Sequence, residues 1–225
     1  NTLVMVVSEQ GNAFPFAKWT CYDSGLQSAC VVRWPGKIQP GSVNPAMIEY
    51  VDFLPTFVDA AGGKPDPGLD GRSFLGAFAG EQKHKEYVFG EMTTRGINKG
   101  SEHFGIRSVR SEQFKYIWNF TPEVKFENAC THSKEFQSWV EAANQGNERA
   151  KELVQRYYYR PEIEVFDVIA DPLELENLAG LPEYAAVERE LRARLDSWMK
   201  ECGDEGQATE LAAMERQGRA RKKAT

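Results

Sequence analysis

The sequence has no long apolar run and no excess of basic residues. Its longest apolar stretch covers residues 3–7, far short of the ~20 residues that cross a bilayer. The 225 residues include 27 lysines and arginines against 33 acidic residues, so no broad basic face is expected. The sequence therefore predicts neither a membrane span nor a nucleic-acid partner.

Cysteines are few as well. None of Cys21, Cys30, Cys130 and Cys202 belongs to a Cys-x-x-Cys pair, and four cysteines allow three pairings. They do not indicate a redox compartment. Hydrophobic residues make up 41% and aromatic residues 12% of the chain, enough for a globular protein with a core. Because Asn1 leads directly into an apolar strand without an initiating Met, we expect the chain to begin in the middle of a domain.

Two apolar segments predict buried strands of an α/β sheet. Residues 3–7 are continuously apolar, and residues 29–34, apolar except for Arg33, form a second run that ends at a Pro-Gly turn. The first run is followed by Ser8, Glu9 and Gln10. Open α/β sheets bind ligands at the carboxyl ends of their strands, so this point is a candidate site. A parallel sheet that lacked neighbouring strands would expose a long apolar edge, so we expect another part of the protein or self-association to cover it.

A helix is predicted after Asp52, which can cap it, with Pro55 in its first turn and Gly62-Gly63 at its end. Its expected core face consists of Phe53, Leu54, Phe57, Val58 and Ala61.

The pattern changes from residue 104 onwards. Residues 106–110 and 114–118 alternate around a short polar turn, which predicts a β-hairpin. Further elements are expected at 133–143, 147–157 and 182–201 as helices and at 163–168 as a strand. The helix at 182–201 has its apolar residues on one face and should pack on the small sheet.

These elements define the expected fold class and domains. We expect an α/β domain over residues 1–103, a small α+β subdomain with an antiparallel sheet over 104–205, and a polar, disordered tail over 206–225.

Three residues near the first strand could bind an ion or anion. Glu9 and Gln10 carry oxygen donors of the kind that Ca²⁺ accepts, and Lys18 could act as a point charge for an anion. Taken by itself, a Glu-Gln-Gly segment after a strand is more often an ordinary loop entry than a set of ligands, and most loop lysines are solvated.

Eight segments of the chain carry a family resemblance. Residues 2–11, 18–25, 31–38 and 51–56, in this order, resemble the second half of the type I sulfatases. Residues 106–110, 157–160, 166–172 and 176–179 resemble the heparan N-sulfatase branch of that family. The resemblance covers residues 1–205, and the fold it implies is the C-terminal part of an alkaline-phosphatase-like sandwich with a small antiparallel-sheet-and-helix subdomain.

The resemblance assigns roles to five residues. It implies that Glu9 and Gln10 are Ca²⁺ ligands, that Lys18 contacts the sulfate, and that Arg95 lies on a substrate-facing loop with His103 nearby. Glu9 stands where the family has Asp, and Gln10 where it has Asn or His, so the longer side chains would shift the ion or bind it through water.

The family nucleophile is a formylglycine made from the Cys of a Cys-x-Pro-x-Arg motif. No cysteine of this sequence begins that motif, so we expect the nucleophile upstream and the fragment alone to be inactive.

The resemblance implies hydrolysis of sulfate esters or sulfamates on glycans such as sulfated glycosaminoglycans, and a periplasmic or secreted location. Two alternatives stay open. The chain could be a non-catalytic fragment or pseudoenzyme that binds a glycan or a partner, or it could belong to a relative of the alkaline phosphatase superfamily that acts on phosphate.

Overall fold

A computed structural model describes residues 2–93, 100–101 and 103–216. Six strands lie within them: Val4–Val7 (β1), Cys30–Arg33 (β2), Val88–Met92 (β3), Ile106–Arg110 (β4), Phe114–Asn119 (β5) and Ile163–Asp167 (β6). The α-helices are Asp23–Leu26 (α1), Phe53–Ala60 (α2), Leu75–Phe78 (α3), Lys134–Asn144 (α4), Glu148–Tyr158 (α5), Ala185–Cys202 (α6), Gln207–Leu211 (α7) and Ala213–Arg216 (α8). No helix in the described part of the chain is both long and apolar enough to span a membrane.

The chain divides into two compact units. The first contains Asn1–Glu9 and Ser28–Val88, and the second contains Gln10–Gln27 and Phe89–Thr225. The boundary therefore differs from the expected one after residue 103. The segment of residues 10–27, expected in the larger α/β domain, belongs instead to the unit that contains the four-stranded sheet.

The first unit contains a two-stranded sheet. Strands β1 and β2 are antiparallel, in a register that pairs Val4 with Arg33 and Val7 with Cys30. Val6 and Val31 are partners in this register and are 62% and 64% exposed. The expectation of a parallel sheet is thus wrong for this pair, because β1 and β2 run antiparallel.

Helix α2 confirms the predicted helix, with Pro55 buried in its first turn. The prediction that Asp52 caps it through its side chain is wrong. The buried Asp52 carboxylate instead accepts the backbone N–H of Arg72 at 3.0 Å and that of Glu49 at 2.8 Å, and it lies 2.9 Å from Lys85 Nζ. Asp52 therefore connects the start of α2 to segments about 20 and 33 residues further along.

The predicted core face of α2 is only partly correct. Phe53 packs against Phe74, with 5.8 Å between the ring centroids. Leu54 and Phe57 are 57% and 43% exposed, so they do not belong to the core of the described residues.

The second unit contains a four-stranded sheet in the order β3-β4-β5-β6. Strands β4 and β5 form the predicted antiparallel hairpin, from the pair Ile106 and Asn119 to the pair Arg110 and Lys115. Strand β6 pairs antiparallel with β5. The expected small antiparallel sheet is confirmed for these three strands.

Helices and an aromatic core support this sheet. Ser133 and Asn147 cap α4 and α5 by accepting backbone N–H groups of Phe136 and Ala150. Leu191 and Leu195 on the buried face of α6, which contacts β4 and β5 as predicted, are 2% and 0% exposed. The core between these elements contains Cys21, Tyr22, Met92, Phe104, Ile106, Ile117, Phe126, Phe136, Tyr157, Phe166 and Val168.

The chain after α6 is ordered by a buried ion pair. We expected disorder from residue 206, but residues 207–216 form α7 and α8. Glu210 in α7 is 2% exposed, and its carboxylate lies 2.8 Å from the guanidinium of Arg107, which also pairs with Asp204 at 2.5 Å. Gly105 permits this approach, because a Cβ there would lie 2.5 Å from the Glu210 side chain. Residues 217–225 lie outside the described residues.

The substitution Glu210→Gln should destabilise the second unit. The amide cannot compensate the charge of Arg107, so we expect a loss of about 1.5–3 kcal/mol in the free energy of unfolding, measured with urea. The control Glu215→Gln removes an exposed carboxylate from the neighbouring helix and should change this free energy by less than about 0.5 kcal/mol. Equal losses in the two variants would contradict the role of the ion pair.

Candidate functional site

The candidate site centres on residues 10–27, here called the anion loop, which belongs to the second unit. Two glycines fix its path. Gly11 has φ +58°, and a Cβ there would lie 2.9 Å from the backbone nitrogen of Lys18. A Cβ at Gly25 would lie 2.4 Å from the carbonyl oxygen of Ala17 and 2.7 Å from that of Thr20. The loop thus folds back on itself with the backbone of Lys18 in its interior.

Two aromatic residues of the loop have unusual backbone conformations. Phe16 and Trp19 have backbone φ angles of 61° and 67°, which residues other than glycine rarely adopt. Both pack against the core of the second unit, and the Phe16 ring meets the edge of Tyr157 with 5.0 Å between centroids. Packing of these two partly buried rings on the core compensates the backbone strain, so the loop conformation depends on that core.

Lys18 lies between these two aromatic residues in the sequence. Its side chain is half-buried, its Nζ lies 5.9 Å from the centre of the Trp19 ring, and its backbone N–H donates to the Asn12 carbonyl at 2.9 Å. A cation on a rigid, half-buried loop interacts more strongly with an anion than a solvated surface lysine does, because less water screens it.

A buried tyrosine anchors the end of the loop. The Tyr22 hydroxyl donates to Glu164 Oε2 at 2.6 Å, and Asn119 Nδ2 donates to Glu164 Oε1 at 2.9 Å. Burial, together with the nearby Glu164 carboxylate, raises the pKa of Tyr22 far above its usual value. The hydroxyl therefore stays protonated and serves as a hydrogen-bond donor.

An ion cluster surrounds the start of α1. The Asp23 carboxylate pairs with Lys115 Nζ and lies 3.1 Å from Arg110 Nε, while Lys115 Nζ lies 2.9 Å from Glu174 Oε1. Burial alone would raise the pKa of Asp23, but Lys115 and then Arg110 hold it below its usual value. Burial raises the pKa of Glu174. We call Asp23, Arg110, Lys115 and Glu174 the anchor cluster.

The two expected calcium ligands are consecutive in the chain, with Glu9 exposed and Gln10 half-buried. Their carboxylate and amide oxygens suit a hard cation such as Ca²⁺, which takes about 6–8 oxygen ligands. The described residues hold no group of three or more His, Cys, Asp or Glu side chains that could bind a metal. The donor chemistry of the two residues fits Ca²⁺, but two ligands would be a minority of the set that such an ion needs.

Of the two expected substrate residues, Arg95 lies outside the described residues. His103 is half-buried, with φ 62°, and its carbonyl accepts from Thr121 Oγ1 at 3.2 Å and from Gln207 Nε2 at 3.3 Å. The neighbouring Phe104 lies in the same aromatic core as Cys21 and Tyr22. The structure thus brings the chain beside His103 and the anion loop onto one core.

Two of the cysteines do not suit nucleophilic chemistry. Cys21 and Cys130 are buried. Burial raises the pKa of each of these two thiols to about 11, so they are protonated at neutral pH.

Sequence reasoning missed the anchor cluster and the partners of Arg107. Glu174, Lys115 and Glu210 are 2%, 1% and 2% exposed. Lys115 and Glu174 lie in or beside motifs that the sequence analysis used, but their pairing joins residues distant in sequence. The one local signal was Lys115, a charged residue within a strand of the predicted hairpin. A charged residue that is buried in a strand indicates that it has a partner.

Comparison with solved structures defines the class of fold. The structure of a 2-O GAG sulfatase superposes with a TM-score of 0.63 at 22% identity, covering 90% of this chain and 37% of that one. At this identity the likeness concerns the fold alone. It confirms the expected fold class, the C-terminal part of an alkaline-phosphatase-like sandwich with a small antiparallel-sheet-and-helix subdomain.

Sequence comparison then identifies the family. The family model described as N-sulphoglucosamine sulphohydrolase, C-terminal, matches residues 11–128, and the chain belongs to this family. It is 33% identical to an ulvan-active sulfatase of Formosa agariphila over 93% of this chain and 35% of the relative. It is 28% identical to the N-sulphoglucosamine sulphohydrolase of Homo sapiens over 91% of this chain and 42% of the relative. The chain spans about two fifths or less of the length of these relatives.

The substitution Gly25→Ala should disorder the anion loop. The added methyl group would clash with two carbonyl oxygens, and we expect a loss of about 1–3 kcal/mol in stability and faster amide hydrogen exchange across residues 11–27. Gly68→Ala is the control, because the nearest atom to its Cβ is a side-chain oxygen at 3.3 Å. Unchanged exchange in Gly25→Ala would show that the close contacts do not determine the loop.

Proposed function

We propose that this chain is the C-terminal part of a sulfatase that hydrolyses sulfate esters or sulfamates on glycans such as sulfated glycosaminoglycans. The match of residues 11–128 to the family model is the observation that carries this proposal. The sulfatases among its relatives support it, including one from Homo sapiens whose name specifies N-sulphoglucosamine. The same match favours sulfate over phosphate as the group that is cleaved.

Within this proposal, Lys18 contacts the sulfate. The Lys18 side chain is half-buried on a loop whose tight path leaves no room for a Cβ at Gly11 or Gly25. A cation held in this way stabilises the charge of the bound sulfate and the charge that develops when the sulfur is attacked. Arg95 and His103 contact the sugar and its anionic groups, which the planar guanidinium of an arginine can bind in bidentate fashion.

Glu9 and Gln10 would supply two oxygen ligands to a calcium ion. Such an ion, when bound, would polarise the sulfate oxygens as a Lewis acid. The nucleophile would be the family's formylglycine. No cysteine of residues 1–225 begins a Cys-x-Pro-x-Arg motif, so we place the nucleophile outside this sequence and expect these residues alone to be inactive.

The exposed valines support a further part of the proposal, that a missing N-terminal half or self-association covers β1 and β2. Val4, Val6 and Val31 are 44%, 62% and 64% exposed, and the relatives are more than twice as long as this chain. A periplasmic or secreted location follows from the family resemblance alone.

A second candidate is a non-catalytic protein that binds a glycan or a partner. The absence of the nucleophile motif from this sequence favours it. Assay of the protein produced from its complete gene separates the two, because only a sulfatase releases sulfate from N-sulfoglucosamine or from an aryl sulfate. No release from either substrate would refute the proposed hydrolysis and leave the binding role.

In the protein produced from the complete gene, Lys18→Ala should lower kcat/KM by about 10–100-fold, because a charge-assisted contact to the sulfate is lost. Lys37→Ala is the control, since Lys37 is an exposed lysine of the first unit and should leave kcat/KM unchanged. Equal kcat/KM for Lys18→Ala and the unsubstituted protein would remove Lys18 from the site.

Calcium removal should abolish sulfate release, and calcium but not zinc should restore it, because the donors are hard oxygens. Glu9→Gln removes a charged ligand and should raise the calcium concentration needed for half-maximal activity. Glu86→Gln, at an exposed glutamate elsewhere in the first unit, serves as control. Full activity in a chelator would exclude the calcium role.

A further inference from the structure

The anchor cluster holds the anion loop close to Lys18. Asp23 follows Lys18 by five residues and is fixed twice. Its backbone N–H donates to Glu174 Oε2 at 2.5 Å, and its carboxylate pairs with Lys115 and Arg110. Both the position and the direction of the chain at the start of α1 are therefore set by side chains of the second unit.

Each buried charge of the anchor cluster is stabilised by the opposite charges beside it. Lys115 and Glu174 are 1% and 2% exposed, so water screens their interaction very little. Two carboxylates, those of Asp23 and Glu174, share the ammonium group of Lys115. Without that ammonium group they would repel each other in a poorly solvated place, and Asp23, still paired with Arg110, would shift away from Glu174.

The chain between Lys18 and Asp23 is too constrained to absorb such a movement. Trp19 has φ 67° and packs on the core, Thr20 Oγ1 donates to the Ala17 carbonyl at 2.7 Å, and Cys21 is 0% exposed. No residue of this stretch is solvated and free to rearrange. A shift of Asp23 is therefore transmitted to Lys18.

We propose that Lys115 and Glu174 are positioning residues that hold Lys18 against the sulfate group of the substrate. Neither residue touches the substrate in this proposal. They act through Asp23 and the constrained chain that leads back to Lys18. The inference rests on the proposed role of Lys18 in sulfate binding.

A double-mutant cycle between Lys18 and Lys115 tests the proposal. The dissociation constant of inorganic sulfate is measured by titration calorimetry on the protein produced from its complete gene, which needs no turnover. Lys18→Ala should weaken sulfate binding about 10–100-fold and Lys115→Met about tenfold. The double variant should bind no more weakly than Lys18→Ala, because Lys115 acts only through Lys18.

Three further variants separate positioning from general stability. Lys115→Arg keeps the charge and should restore most of the sulfate affinity. Glu174→Gln keeps the shape of the cluster and replaces Lys115→Met in the cycle should that variant not fold. Lys151→Met is the matched control, because Lys151 pairs with Glu148 on the surface, with side chains 68% and 82% exposed.

If the double variant weakens sulfate binding by the product of the two single effects, Lys115 does not act through Lys18 and the positioning role is overturned. An unchanged sulfate affinity in folded Lys115→Met would overturn it as well. An unchanged affinity in Lys18→Ala would overturn both this inference and the proposed role of Lys18. Coupled effects on sulfate binding without any sulfate release would support the inference and refute the proposed hydrolysis.

Discussion

The pairing of buried charges is the constraint on which the second unit depends. A charged side chain loses its hydration on burial, at a cost that only a well-placed partner offsets. Lys115 and Arg107 are 1% and 3% exposed on neighbouring strands of the same sheet. Lys115 pairs with a residue 92 positions earlier in the chain, and Arg107 with one 103 positions later. Lys115 thereby fixes the anion loop, which precedes the sheet in the sequence, and Arg107 fixes α7, which follows it.

Under the proposed function, this arrangement gives the small sheet a part in sulfate recognition beyond support. The anion loop has little regular structure, with one four-residue helix, and two of its residues have strained backbones. Such a segment adopts one conformation only when its surroundings determine it. The aromatic core and the anchor cluster supply those surroundings. Under the proposed function, Lys18 meets the sulfate already in place, so little ordering entropy is lost on binding.

Local patterns allowed much of this fold to be predicted from the sequence. The hairpin of β4 and β5 and helices α4, α5 and α6 follow from apolar periodicity and from residues such as Ser133 and Gly203, which act within one turn. The partners of Asp52, Lys115 and Arg107 could not be predicted, because a buried charge shows only that a partner exists. The antiparallel pairing of β1 and the order of α7 likewise depend on contacts remote in sequence.

The choice of ions rather than apolar side chains as anchors has a physical consequence. Apolar contacts are not directional, so an aromatic loop can pack on an aromatic core in several similar ways. The interaction of Asp23 with Lys115 and Glu174 needs particular atoms at hydrogen-bond distance. Another packing of the loop would take the Asp23 carboxylate away from Lys115 and the Asp23 N–H away from Glu174, so these two buried charges would have fewer partners. The anchor cluster therefore selects one conformation of the loop, and with it one position for Lys18, even where its net contribution to stability is small.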